Sequence, residues 1–97
     1  MMYRNKKILR SAKGMPCTLR TLWCNNNNLT TVAAHSNQLA HGKGGSMKSH
    51  DCYVAYACSG CHRWLDESAA SRTEKVEAFN AAMHRTWLLL LQTGVLK

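Results

Sequence analysis

The segment from Asp51 to His62 limits the fold of this chain more than any other part of the sequence. It begins with a short run of tyrosine, valine and alanine, which predicts a β-strand of about five or six residues. Cys58 and Cys61 follow in a Cys-Ser-Gly-Cys sequence, in which Gly60 lets the backbone direct both sulfurs toward one point. Two thiolates at this spacing are half of a tetrahedral zinc site. The segment therefore predicts a strand that leads directly into a metal site.

The other three cysteines decide whether that site can be completed. Cys17 and Cys24 enclose a segment rich in β-branched and aromatic residues, which predicts a strand or hairpin closed by two thiols. The odd cysteine count, the CxxC spacing and the lack of an apolar stretch behind the basic N-terminus favour metal over disulfides, in a reducing cytoplasm. Cys17 and Cys24 with Cys58 and Cys61 therefore predict a structural zinc ion. Cys52 is expected to be a packed free thiol.

Positive charge is concentrated in the first half of the chain. The formal net charge is +8, and residues 1–50 contain no Asp or Glu, whereas five basic and five acidic residues cancel in 51–97. Such a field favours a polyanion, most simply DNA through its phosphates; the alternative is a basic arm that serves only solubility. The candidate nucleic-acid-binding residues are Arg4, Lys6, Lys7, Arg10, Lys13, Arg20, Lys43 and Lys48.

The remaining segments predict one α+β domain with a basic extension. Residues 1–13 suit a short helix, a surface arm, or both when bound, and the following Gly-Met-Pro separates them from a single domain at 14–97. The four asparagines at 25–28 predict a turn. Residues 29–35 are a second candidate strand that ends in a histidine, and the glycine-rich residues 42–48 predict a flexible loop. No run of about 18 apolar residues is present, so no membrane span is expected.

The C-terminal third predicts an amphipathic helix. After one helical turn at 63–66 and a break at 67–71, Ser71 or Thr73 can cap the helix and Gly94 can end it. Apolar residues at three- and four-residue steps form one stripe: Val76, Phe79, Met83, Trp87 and Leu90. The four consecutive leucines at 88–91 are too wide for that stripe, so exposed apolar surface, a second copy of the chain or a phage protein partner is expected.

A histidine ending the first strand and another opening the helix after a CxxC resemble the HNH endonucleases, the ββα-metal group. The sequence is similar, more narrowly, to the YbcO-like nucleases of lambdoid prophages. That similarity covers nearly the whole chain and is carried by Ala34-His35, the block from Asp51 to His62, Leu65-Asp66, Trp87 and Gly94-Val95. It implies a small zinc-stapled ββα-metal domain followed by the C-terminal helix.

The resemblance also implies a reaction, the metal-dependent hydrolysis of DNA phosphodiester bonds. In this family pattern His35 is the general base that activates water, and His62 binds a divalent catalytic metal, Mg²⁺, Mn²⁺ or Zn²⁺. Ala34 occupies the position before the base, where many HNH sites have a metal ligand. The chemistry of its carboxylate makes Asp51 the natural substitute as a second ligand.

Simpler interpretations compete with each of these roles. A non-enzymatic zinc-ribbon module that binds nucleic acid or a partner would need no catalytic metal. In that case His35 is a buried histidine, Asp51 ends a turn, and His62 is a spare zinc ligand in place of Cys17 or Cys24. His41 and His50 are expected on a solvated loop, His84 is expected to be exposed, and Trp64 is expected in the core. A redox role for the CxxC is disfavoured, since no βαβ pattern surrounds it.

Overall fold

A computed structural model describes residues 2–96, which form two short strands and three helices. The elements are α1 (Lys6–Ser11), β1 (Val32–His35), β2 (Val54–Ala57), α2 (Ser59–Glu67) and α3 (Arg72–Gln92), with single 3-10 turns at Asn28–Thr30 and Leu39–His41. The predicted α+β class and C-terminal helix are confirmed. Within 2–96 no helix has the length and apolarity needed to cross a membrane.

The two strands pair antiparallel, and helices cover both faces of the sheet. Val32 lies opposite Ala57 and His35 lies opposite Val54. The face that carries Ala34 packs against α2 and the first half of α3. The opposite face packs against α1 and the second half of α3, with Tyr56 buried between them. A sheet of two four-residue strands is only marginally stable by itself. The helices packed on its two faces therefore stabilise it.

The outer edge of β2 is closed by side chains rather than by a third strand. The Tyr56 backbone N–H donates to the Thr86 hydroxyl at 3.1 Å. The Tyr56 carbonyl accepts from the Thr18 backbone N–H at 2.8 Å and from the Thr18 hydroxyl at 3.0 Å. The two hydroxyl groups lie 2.9 Å apart, and both residues are buried. The polar atoms of Tyr56 are therefore satisfied without solvent.

The segment from Cys17 to Cys24 is a loop, so the prediction of a strand or hairpin there was wrong. Its β-branched residues make specific contacts instead of a ladder: Thr18 bonds the edge of β2, and Thr21 bonds Cys61 through its backbone N–H at 3.4 Å. Arg20 has a φ of 53°, which no regular strand accommodates.

Helix α2 begins four residues earlier than the single turn predicted at 63–66, because Cys58 acts as its N-cap. Gly60 therefore lies inside a helix rather than in a tight turn. A side chain at this position would overlap the Trp23 carbonyl oxygen. Glycine is needed here because the cysteine loop passes directly against the helix.

The ends of the other helices follow the sequence signals. The N-terminal segment forms helix α1, which is capped by Asn5. The fully buried side chain of Ile8 anchors this helix to the core. Ser71 caps α3 by accepting the Glu74 N–H at 3.1 Å, and Gly94 follows the helix with a φ of 79°.

The apolar stripe of α3 is largely buried, as predicted. Leu88 and Leu91 are 56% and 55% exposed, as the width of the leucine run predicts. Asn26, with a φ of 55°, makes the predicted asparagine turn.

Replacing Thr86 with valine should lower the free energy of unfolding by about 1–3 kcal/mol, because the buried Tyr56 N–H loses its acceptor. Chemical denaturation measures the change. Thr93→Val is the matched control, since Thr93 makes a similar bond to the carbonyl four residues earlier but is exposed; it should change stability by less than about 0.5 kcal/mol. Equal effects of the two variants would contradict the edge role of Thr86.

Candidate functional site: four cysteines and a histidine–aspartate pair

The predicted convergence of four cysteines is confirmed. The sulfur atoms of Cys17, Cys24, Cys58 and Cys61 all lie within 4.8 Å of one another. Cys24 Sγ is 3.7 Å from Cys58 Sγ. A tetrahedral zinc–thiolate site with bonds of about 2.3 Å has sulfur–sulfur edges of about 3.8 Å, so the observed separation fits such an ion. Because all four positions would be filled by protein, the site suits a structural metal rather than a catalytic one.

Backbone N–H groups prepare this cluster for a cation by favouring the thiolate of Cys58. Its sulfur accepts from the N–H groups of Cys61 at 3.4 Å and Asn25 at 3.5 Å. Burial alone would raise the pKa of Cys58, but these hydrogen bonds outweigh burial and lower the pKa to about 7. Burial raises the pKa of Cys61, despite hydrogen bonds from Thr21. Cys58 is therefore the more acidic thiol of this CxxC pair, and a bound cation would favour the thiolate form of its ligands.

Cys52 lies outside the cluster, as predicted. It is a partly buried free thiol, and burial raises its pKa. Its backbone carbonyl accepts the Trp87 indole N–H at 2.7 Å, so the residue contributes to packing. Cys52 is therefore a natural internal control for the four clustered thiols.

Cys58→Ser should remove bound metal and unfold or aggregate the protein, because one ligand of the four is lost and the small core depends on the site. Metal content by mass spectrometry and the thermal melting curve measure both effects. Cys52→Ser should retain the metal and most of the stability. An unchanged melting curve for Cys58→Ser would show that the cluster holds no structural ion.

A second polar site lies at the end of β1, where His35 meets Asp51. His35 Nε2 is 2.8 Å from Asp51 Oδ1, and the two side chains are 17% and 3% exposed. Asp51 also accepts the Asn5 backbone N–H at 2.7 Å and an Arg4 N–H at 3.1 Å. The carboxylate thus joins β1 to the start of α1.

The surroundings of Asp51 keep it ionised. Burial alone would raise its pKa, but hydrogen bonds from His35, the Asn5 backbone and Arg4 together lower the pKa below its usual value. A carboxylate only accepts hydrogen bonds, so His35 Nε2 carries the proton of this contact. His35 Nδ1, which has no hydrogen-bond partner in residues 2–96, is then left as the basic nitrogen.

His62 does not join the His35–Asp51 pair in a metal-ligand cluster among residues 2–96. His62, on α2, lies 3.3 Å from Asp66, one helical turn later, and both side chains are about half exposed. Among residues 2–96 the only cluster of three or more metal-ligating side chains is the four-cysteine group, which does not include His62. His35 extends from the α1 face of the sheet, whereas Ala34 is buried on the face that α2 covers. The pairing of Asp66 with His62 was not predicted from the sequence. Their spacing of four residues on one helix was the signal that could have shown it.

The remaining histidines, His41, His50 and His84, each contact an aromatic side chain. His41 and His50 lie in the connection between β1 and β2, as the predicted loop requires, but both are partly buried rather than solvated. His41 stacks on Tyr53 with ring centroids 4.3 Å apart and lies 2.6 Å from the Ser36 hydroxyl, and His50 accepts the Tyr3 backbone N–H at 2.9 Å. His84 is exposed, as predicted, and Trp64 packs partly buried against the core.

The candidate phosphate-binding residues fall into two groups. Arg4 is committed to Asp51 and to the carbonyls of Lys48 and Ser49, and Arg20 contacts the Cys17 carbonyl. The others make no ion pair within the described part of the chain: Lys6, Lys7, Arg10, Lys13, Lys43 and Lys48.

Asp51→Asn should lower the free energy of unfolding at pH 7 by about 2 kcal/mol, because charge-assisted hydrogen bonds to a buried carboxylate are lost. Since the folded pKa of Asp51 is lowered, its stabilisation is present above its ordinary pKa and is lost as the pH falls through the folded value. Denaturation at several pH values should therefore show the wild type and the variant converging in acid. A difference that persists unchanged at acidic pH would contradict an ionic role.

The fold and the cysteine cluster define a small α+β protein with four cysteines placed to bind a metal ion. The family described as "Putative nuclease YbcO" matches residues 6–95, and the chain therefore belongs to that family, as the sequence predicted. A solved structure of "a putative bacteriophage protein from Escherichia coli str. K-12 substr. MG1655" is similar, with a TM-score of 0.68 and 29% identity over 89% of this chain and 98% of that one. No curated protein matches.

Proposed function

We propose that the protein is a metal-dependent, HNH-type endonuclease that hydrolyses DNA phosphodiester bonds in a phage or prophage context. The observation that carries this proposal is the contact between His35 and the buried Asp51 at the end of β1. A histidine whose second nitrogen is fixed by a carboxylate is the arrangement that a general base needs. Membership in a family described as a nuclease supports the same reaction class.

In this mechanism His35 Nδ1 takes a proton from the water that attacks the phosphorus. An imidazole suits this step because one ring nitrogen can accept a proton while the other donates its own to a carboxylate. Asp51 accepts the Nε2–H, holds the ring in one tautomer and stabilises the imidazolium that forms. Arg4 and the Asn5 backbone hold the carboxylate itself. Asp51 is thus a positioning residue in this proposal.

The proposed ligands of the catalytic metal are His62 and Asp66. An imidazole nitrogen and a carboxylate oxygen 3.3 Å apart on an exposed helix face are a donor set suited to Mn²⁺, Zn²⁺ or Mg²⁺. A divalent ion bound there would supply charge stabilisation for phosphate oxygens. Asp51, first expected as a ligand, is only 3% exposed and already accepts three hydrogen bonds, so it offers little room for a metal and its bound waters. For that reason we assign Asp66 rather than Asp51 to this role.

A structural zinc ion at the four cysteines is the second metal of the proposal. It would connect the loop at 17–24 to the N-terminus of α2 without taking part in the reaction. The lysines and arginines outside the Asp51 network would hold DNA through its phosphates, which position the duplex without selecting a sequence. The exposed Leu88 and Leu91 would suit a second copy of the chain or a phage protein.

A non-enzymatic nucleic-acid-binding module is the second candidate function. One observation favours it: among the described residues His35, Asp51 and His62 do not form a three-ligand cluster. A zinc-stabilised domain with a basic surface would bind phosphates equally well without cutting them. Cleavage therefore distinguishes the two candidates, and binding does not.

Metal-dependent nicking of supercoiled plasmid tests the nuclease proposal. With Mg²⁺, Mn²⁺ or Zn²⁺ added separately, the wild type should convert supercoiled plasmid to the open-circular form. His35→Ala should slow that conversion about 100- to 10,000-fold, because the general base is lost. His84→Ala is the control, since His84 is an exposed histidine outside the site, and it should cut at the wild-type rate.

Two results would overturn parts of this assignment. A His35→Ala variant that cuts as fast as the wild type would place the base elsewhere. Wild-type protein that binds plasmid but leaves it intact with every metal would favour the binding module.

A further inference from the structure

The loop at 17–24 and helix α2 present an apolar surface that neither candidate site uses. Leu22 and Trp23 of the loop are 102% and 67% exposed. Trp23 and the partly buried Trp64 of α2 both line two hollows, of about 450 Å³ and about 300 Å³. These three side chains and the walls of the two hollows form the tryptophan surface.

The two tryptophans have the properties of side chains that bind another protein. Of the three tryptophans in residues 2–96, only Trp87 donates its indole N–H to another described residue. Trp23 and Trp64 therefore offer an apolar ring together with a free donor, the combination that enriches tryptophan at protein interfaces. The fully exposed Leu22 adds apolar area beside them.

The charges around the two hollows disfavour DNA as the partner. All three glutamates of the chain line the hollows together with two arginines: Glu67, Glu74, Glu77, Arg20 and Arg63. Glu67 lies 3.8 Å from Arg63, whereas Glu74 and Glu77 form no ion pair in the described part of the chain. The surface thus has an excess of negative charge in a chain with a net charge of +8, and it would repel phosphates.

The tryptophan surface is complementary to itself. It contains an exposed apolar pair next to hollows, and it contains free carboxylates next to arginines. In a twofold dimer, each contact between one copy and its partner occurs a second time with the roles exchanged. The apolar pair of each copy would then enter the hollows of the other, and Glu74 and Glu77 would face the arginines of that copy.

We propose that the tryptophan surface is a homodimer interface, in which a second copy of this chain binds across a twofold axis through Leu22, Trp23 and Trp64 and through glutamate–arginine pairs around them. This interface is separate from the exposed leucines of α3. It assigns Arg20 to the second copy rather than to a DNA phosphate. The inference does not rest on the proposed nuclease function.

A dimer formed in this way leaves the other side of α2 open. The residues that α2 contributes are spaced by three and four positions and therefore share one side of the helix: Gly60, Arg63, Trp64 and Glu67. At about 100° per residue, His62 and Asp66 lie on the opposite side. The dimer would therefore present two exposed histidine–aspartate pairs.

Sedimentation velocity of the wild type at a series of concentrations tests the dimer. A standard interface takes about a tenth of a small protein's surface, which is about 600 Å² per copy for a total of 6096 Å². An interface at this small end of the range dissociates on dilution, so the dimer fraction should rise between about 1 μM and about 500 μM. Twofold closure predicts that association stops at two copies.

Leu22→Asp should raise the dimer dissociation constant at least about tenfold, because it places a carboxylate in the apolar contact. Its melting temperature at low protein concentration should equal that of the wild type, since Leu22 is fully exposed in the monomer. Leu29→Asp is the matched control. Leu29 is 83% exposed and lies outside the tryptophan surface, so this variant should dimerise like the wild type.

Exchange of the charges gives a test that non-specific association cannot pass. Glu74→Lys/Glu77→Lys and Arg20→Glu/Arg63→Glu should each be monomeric at concentrations where the wild type is dimeric, since like charges would face each other. An equimolar mixture of the two variants should form a dimer with one chain of each kind. Native mass spectrometry identifies such a dimer by its mass.

The possible results separate this interface from other contacts and from the nuclease. A wild type that stays monomeric at about 500 μM overturns the proposal, and so does a Leu22→Asp variant that dimerises like the wild type. A dimer that only Leu88→Gln/Leu91→Gln dissociates would place the contact on α3 instead. Assemblies larger than two copies, or charge variants that stay monomeric when mixed, overturn the twofold pairing. None of these results depends on plasmid cleavage.

Discussion

The convergence of four sulfur atoms is the constraint on which the rest of this structure depends. The sheet contains only two strands of four residues, and the loop at 17–24 has no ladder to hold it. That loop nevertheless supplies two of the four thiols and closes the edge of β2 through Thr18. Cys17 and Leu19 pack in the core, but no strand pairing holds the backbone of residues 17–24. A metal in the cluster would therefore fix the loop, the N-terminus of α2 and the edge of β2 in one step.

At the opposite end of β2, the carboxylate of Asp51 connects neighbouring elements through hydrogen bonds. Asp51 joins the end of β1, the start of α1 and Arg4 through hydrogen bonds of 2.7–3.1 Å. The basic N-terminal helix thus belongs to the same core as the strands, with Ile8 fully buried beneath it. This position gives Asp51 two functions at once, since the bonds that anchor α1 also orient the histidine proposed as the base.

The sequence predicted the features that depend on local chemistry. The CxxC spacing, the cap at Ser71, the glycine after α3 and a histidine at the end of β1 each have a short-range signal, and the structure contains all of them. The wrong predictions concern residues whose structure is determined by contacts with parts of the chain that are distant in sequence. Residues 17–24 have strand-like composition, but hydrogen bonds to Cys61 and Tyr56 and an Arg85–Thr18 contact hold them as a loop. His41 was expected in solvent because its stacking partner, Tyr53, lies beyond the glycine-rich loop, whereas the signal for His50, a tyrosine three residues later, was available in the sequence.

The alternation of side chains in β1 explains why the candidate site divides as it does. Successive residues of a strand point to opposite faces, so His35 faces the α1 side and Ala34 faces α2. A metal ligand at position 34 would point toward the helix that carries His62. Alanine at that position removes the bridge between the two faces, and each histidine is paired with its own aspartate instead. In the proposed mechanism, a base on one face of the sheet would therefore act together with a metal bound on the helix that covers the other face. A substrate that contacts both faces, as a DNA backbone can, meets that requirement more readily than a small phosphoester.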